Sequence, residues 1–159
     1  MAFQPGTFQI NLGAERLKGI YRRTAVFICN KEEAQKILGS AEADVKKLQS
    51  GIQALGPDIV LITDGPKGAY MLSSDSYWFM PPYPDPKPPL NRTGAGDAYA
   101  STLVSAIILG KKPEEAIRWA PINSMSVIQQ IGAQKGLLKQ AALESFLAGA
   151  PADYKPKKI

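Results

Sequence analysis

The feature that most restricts the fold is the run Ile59-Val60-Leu61-Ile62, four consecutive apolar residues, three of them β-branched, bounded by Pro57-Asp58 and by Thr63-Asp64-Gly65. A half-buried strand alternates apolar and polar side chains, so an unbroken run predicts a strand covered on both faces, as in a parallel sheet. Segments on either side agree. Residues 2–4 read as a strand end stopped by Pro5-Gly6, residues 13–21 as a short helix, and residues 25–29 as a second apolar strand. Residues 31–38 are helical in period and stop at Gly39, and residues 41–55 continue as a helix with Val45, Leu48, Ile52 and Leu55 on one stripe. This alternation of strand and helix is the signature of βαβ units. The predicted class is α/β, a three-layer αβα, Rossmann-like arrangement with a mostly parallel sheet.

An antiparallel hairpin is predicted after the central strand, from residues 69–72 and 77–80 joined by Ser73-Ser74-Asp75-Ser76. Residues 81–89 hold six of the chain's 13 prolines and read as an extended loop. Beyond it, residues 98–109, 114–131 and 139–147 are helical by pattern, with glycine stops at 110, 132 and 136 and a kink or boundary at Pro121. The 159 residues suit one domain, read as residues 1–150, followed by a basic, solvated tail at 151–159 that carries Lys155, Lys157 and Lys158.

Composition removes several chemistries. The chain has no histidine, so histidine triads, imidazole bases and histidine metal sites are excluded, and any acid or base must be a carboxylate, Lys or Tyr. A single cysteine, Cys29, cannot form an internal disulfide, and no apolar stretch reaches the roughly 20 residues of a membrane helix. With no secretory pattern at residues 1–5, the expected compartment is the cytoplasm. The net charge of +5 comes from lysines and arginines spread along the chain. The aromatics Tyr77, Trp78 and Tyr83 match no nucleic-acid recognition motif, so neither nucleic acid nor membrane is an expected partner.

Four segments can carry chemistry. Thr93-Gly94-Ala95-Gly96-Asp97 precedes an apolar helix, so its backbone N–H groups and the helix dipole make an anion hole, with Asp97 placed to take a proton from a substrate hydroxyl. The same residues also serve a plain helix start, with Thr93 as cap and Asp97 complementing the dipole. Asn30-Lys31-Glu32-Glu33 ends the second strand and reads first as a capping box, with which water-mediated binding of magnesium by Asn30 and Glu33 is compatible. Thr63-Asp64-Gly65-Pro66-Lys67-Gly68 is a glycine-rich turn open to a phosphate or to a purely structural role. Gly132-Ala133-Gln134-Lys135-Gly136 links two helices, and a helix stop explains it by itself.

Together and in this order, these segments resemble the ribokinase-like, phosphofructokinase B type family of sugar and nucleoside kinases. Thr93-Gly94-Ala95-Gly96-Asp97-Ala98-Tyr99 is similar to the family's Thr-Gly-Ala-Gly-Asp-Ala-Phe signature, which implies an anion hole at Gly94, Ala95 and Gly96 and a catalytic base at Asp97. Asn30 and Glu33 match its Asn-x-x-Glu motif for magnesium and phosphate, and Thr63, Gly65 and Gly68 match its nucleotide loop. Asn123, Gly132 and Ala133 fall where the family closes its adenine pocket. The resemblance implies ATP and Mg2+ as cofactors and a sugar or nucleoside alcohol as acceptor.

It covers essentially the whole chain but departs at three places. Asn91 stands where the family's aspartate helps hold a monovalent cation, so that cation does not carry over. Arg92 replaces a common threonine, and Gln4 replaces the asparagine of Asn-Pro-Gly. Family members are longer, and their preceding half supplies the first strands, the acceptor pocket and a β lid, so the chain is expected to be a truncated ribokinase-like nucleotide domain. Weak transfer by itself, a noncatalytic nucleotide-binding or oligomerising role, or pairing with a missing half are the readings that follow. An uncovered sheet edge or face predicts self-association, most simply a twofold dimer.

Overall fold

The computed structural model describes residues 1–159, and the chain divides into two compact units. The first spans Met1–Phe79 with Lys158–Ile159 and the second Met80–Lys157, so the residues read as one domain contain a division between Phe79 and Met80.

Strands β1 (Ala2–Phe3), β2 (Val26–Asn30), β3 (Ile59–Thr63), β4 (Ala69–Ser73), β5 (Ser76–Met80) and β6 (Lys157–Lys158) form one sheet in that order, and all of their residues except Met80 and Lys157 belong to the first unit. β1 to β3 run parallel, and β3 pairs antiparallel with β4. The unbroken apolar run is an internal strand, and Val60, Leu61 and Ile62 are completely buried, as a strand covered on both faces requires. β4 and β5 are joined by Ser74-Asp75, both with positive φ, +47° and +57°, the left-handed pair that a tight two-residue hairpin demands.

Helices α1 (Thr7–Leu12), α2 (Lys18–Tyr21), α3 (Lys31–Leu38) and α4 (Val45–Gln53) belong to this unit. Leu48 and Ile52 of α4 join Phe27, Cys29, Val60, Ile62 and Leu72 in one apolar core. Phe3, Tyr21 and Phe27 meet there with ring centroids 5.4–5.8 Å apart, close enough for edge-on and tilted aromatic contact. The helix expected at 13–21 is only α2, and α1 lies before it. Gly6 starts α1 by donating its N–H to Gln9 Oε1, a local contact that the weak apolar pattern of 7–12 does not advertise. α4 begins at Val45 instead of residue 41, because the Asp44 carboxylate accepts the Lys46 N–H and caps the helix there.

In the second unit, the long helix α5 (Ala95–Ile108) packs against α7 (Ala120–Ile128), with α6 (Pro113–Ala116) and α8 (Gln140–Ala148) beside them. The helix expected over 114–131 is divided into α6 and α7, and Pro121 lies in the first turn of α7, where its missing N–H leaves no bond unmade. The closing segment keeps Lys155, Lys157 and Lys158 exposed, yet it is anchored: Tyr154 is buried, its hydroxyl donates to the Arg118 carbonyl at 2.6 Å, and Lys157–Lys158 form β6. A basic tail is therefore an incomplete description, because one aromatic with a hydrogen-bonded hydroxyl ties it down. No helix is long and apolar enough to cross a membrane.

Candidate functional site

In the first unit the pairing of parallel strands gathers two of the sequence segments. Asn30 and Thr63 are register partners at the carboxyl ends of β2 and β3, the edge of an open α/β sheet where loops leave to meet ligands. Asn30 Oδ1 accepts the Glu33 N–H at 2.8 Å, and Glu33 Oε2 accepts the Asn30 N–H at 2.8 Å, so the capping box is formed in full. It uses one oxygen of the Glu33 carboxylate. Beneath it, burial pushes the Cys29 thiol well above its usual range, and the nearby Glu33 charge adds to the effect. From Thr63 the chain enters a short 3-10 turn at Gly65–Lys67, in which Asp64 N–H donates to Gly68 O at 2.9 Å and Gly68 N–H to Gly65 O at 3.2 Å. Gly65 and Gly68 have φ of +52° and +106°, conformations in which a side chain would be strained. Lys67 is largely exposed, 3.9 Å from the Asp64 carboxylate.

The second unit gathers the remaining segments. Thr93 does not cap α5: its own N–H donates to Asn91 Oδ1 at 2.8 Å, which turns the chain one residue later, and Gly94 occupies the N-cap with φ +83°. At the helix start Ala98 N–H donates to Gly94 O at 2.8 Å, and Gly96 and Asp97 are both solvent-exposed. Gly94 lies against the linking loop. A Cβ built there would sit 2.5 Å from Ala133 O and 2.7 Å from Ala133 Cα, whereas one built on Gly96 would meet nothing within 4 Å. Gly94 is thus required by packing and by φ, and Gly96 leaves open space in front of the helix.

Gly132 and Ala133 therefore stand next to the glycine turn, and their loop is held from behind. Ser126 Oγ donates to Gly136 O at 2.7 Å, and the buried Asn123 accepts the Leu138 N–H on Oδ1 at 2.9 Å while its Nδ2 donates to Thr102 Oγ1 at 2.8 Å. Both ends of the Asn123 amide are engaged within the unit. Thr102, Ser126 and the turn-forming contact of Asn91, a residue noted in the sequence only for the aspartate it replaces, do not follow from the sequence reading. Only the last had a local signal, an asparagine two residues before the N–H it accepts. Tyr99, where the signature has phenylalanine, is buried, and its hydroxyl has no hydrogen-bond partner.

No three Cys, Asp or Glu side chains cluster as a dedicated metal cage. The donors at the end of β2 are one amide and one carboxylate, both committed in part to the cap. That set fits a hydrated magnesium ion held through water and substrate phosphates, the usual mode for this ion, and does not fit one enclosed by protein ligands.

A mixed sheet whose parallel strands end in a capped helix and a glycine turn, with a glycine-capped helix in the second unit, defines an α/β protein. Residues 10–140 match the model of the pfkB family of carbohydrate kinases, and the chain belongs to that family. It is 24% identical over 137 residues to an uncharacterized sugar kinase of Archaeoglobus fulgidus, an alignment covering 86% of this chain and 53% of that protein. The fold is shared with a nucleoside kinase of Methanocaldococcus jannaschii, at a TM-score of 0.79 and 22% identity over 93% of this chain and 48% of the other. It is also shared with a ribokinase of Arabidopsis thaliana complexed with ribose and ATP, at a TM-score of 0.75 and 21% identity over 82% and 43%. The chain spans about half the length of these relatives.

Proposed function

We propose that residues 1–150 form the ATP-binding part of a sugar or nucleoside kinase, in which the γ-phosphoryl group passes to an acceptor alcohol. The observation that carries this reading is the start of α5, where Gly94 at φ +83° turns the chain into the helix, open space lies in front of Gly96, and Gly96 and Asp97 are both exposed in the first turn. Gly94, Ala95 and Gly96 would stabilise charge on the transferring phosphoryl group, with Thr93 flanking them. Asp97 would orient the acceptor hydroxyl and take its proton as the oxygen attacks phosphorus and the bond to the leaving ADP breaks.

Thr63, Gly65 and Gly68 would follow the nucleotide phosphates, and Gly132 and Ala133 would border the base. Asn123 would act there by holding the loop, since its amide is already bonded on both sides. Asn30 and Glu33 would hold water around magnesium, and the ion, when bound, would supply positive charge to the phosphates. The resemblance assigns the acceptor pocket and lid to a part of the family outside the matched span, so the acceptor is not read from residues 10–140. Proximity and water exclusion supply much of the rate of such a reaction. Binding of ATP without transfer is the second form of the proposal, and self-association as a dimer accompanies both.

Calorimetric titration with ATP and magnesium tests it. The wild type and Asp97→Asn should bind. Gly96→Val should not, although circular dichroism should show it folded, because a Cβ at this position enters open space in front of the helix, with no atom of another segment within 4 Å. Failure of the folded wild type to bind ATP overturns the proposal, and acceptor-dependent ADP release separates its two forms.

A further inference from the structure

Within the second unit, α5, α7 and α8 border a cavity of about 380 Å3. Thr102, Ala106, Trp119, Asn123 and Leu143, all buried, form its floor. Its rim carries the exposed Ser101, Ser105, Leu109, Leu137 and Gln140. Ser101 and Ser105 are four residues apart on α5 and so lie one above the other on a single face. At the helical rise, the α5 wall begins roughly 7 Å beyond Gly96 and extends to roughly 20 Å from it, so the cavity is separate from the glycine turn.

We propose that this cavity is a second ligand site, for an uncharged small molecule with an aromatic or branched aliphatic body and one or two hydroxyl groups. Its volume lies within the range of small-molecule pockets, and its lining pairs an apolar surface of Trp119, Ala106 and four leucines with a few polar groups. No lining side chain is charged, so an ionised ligand would lose hydration without a counter-charge. In the floor, the Asn123 amide is bonded to Thr102 and to the Leu138 N–H. Polar contacts therefore fall to the rim, where the two serine hydroxyls can each donate or accept. Its floor shares Asn123 with the loop support of the proposed nucleotide site, so the titration is run without nucleotide.

The test is a titration of the uniformly 15N-labelled full chain with 4-methylphenol, following the indole N–H signals of Trp119 in the cavity floor and of Trp78 in β5. A saturable shift at Trp119 and none at Trp78 is expected. Binding should weaken at least about tenfold in Ser105→Leu, which fills the cavity from an exposed helix position, and 4-methylbenzoate should bind at least about tenfold more weakly than the phenol. Leu109→Ser is the second variant and should also weaken binding, by removing apolar contact. Absence of a saturable Trp119 shift overturns the proposal, as does unchanged affinity in both folded variants or equal binding of the carboxylate. A Trp119 shift that follows protein concentration instead of added phenol would place a second copy in the cavity and overturn it too.

Discussion

Tyr99 carries its hydroxyl into the interior of the second unit, where burial pushes the phenol's pKa far up and no group accepts or donates a hydrogen bond. Leaving a polar atom unpaired costs more than omitting it, so Tyr99→Phe should stabilise the fold by about 1 kcal/mol, measured by urea denaturation. The two glycines of the α5 turn differ in kind. Gly94→Val has to adopt a positive φ and force Ala133 aside, and should lower stability by about 2 kcal/mol or more, while Gly96→Val should unfold close to wild type and lose only ATP binding. Asp97→Asn keeps the shape of the turn and removes the base. In a complete enzyme it should lower the rate of transfer by about 10²- to 10⁴-fold, with ATP affinity retained in titrations. The signature itself was legible, since glycines before an apolar helix announce a turn. That Gly94 is irreplaceable because of Ala133, 39 residues later, was not.

Helix starts and strand ends show how far local pattern reaches. The α3 capping box needs residues three apart and was read from Asn30 and Glu33 directly; Asn30→Ala should cost about 1 kcal/mol of stability in thermal or urea unfolding. α1 escaped notice because its apolar residues are few and its start depends on Gln9 reaching back to Gly6. The aromatic cluster joining β1, α2 and β2 makes a pH prediction. Burial first, and the neighbouring Cys29 second, push the Tyr21 phenol from 10.0 up to about 12. Above pH 10 the unfolded chain loses this proton while the folded one keeps it, so the unfolded state binds fewer protons and stability must fall with rising pH. Its contribution should be complete below pH 10 and decline through the window to pH 12, seen as a falling urea midpoint whose slope Tyr21→Phe reduces.

Association depends on surfaces that no single element reveals. The sheet ends in β1 and β6, each two residues long, and β6 consists of lysines, so edge-to-edge pairing has little backbone to use. Exposed apolar side chains lie elsewhere, as at Ile108, which is 79% exposed, and Ile131. If the proposed dimer forms through them, sedimentation equilibrium should give about twice the 17.2 kDa of the chain, and Ile108→Glu with Ile131→Glu should return it to the monomer mass. The amino-acid sequence by itself determined five of the six strands, most helices, the capping box and the glycine turns, because periodicity, capping and φ preference act between residues a few positions apart. Tertiary structure alone decided that Asn30 stands beside Thr63, that Ala133 closes on Gly94, that Asn123 is consumed by Thr102 and Leu138, and that the closing strand joins β5. Those relations join residues far apart in the chain, and they are set by which apolar faces and backbone groups must be buried together.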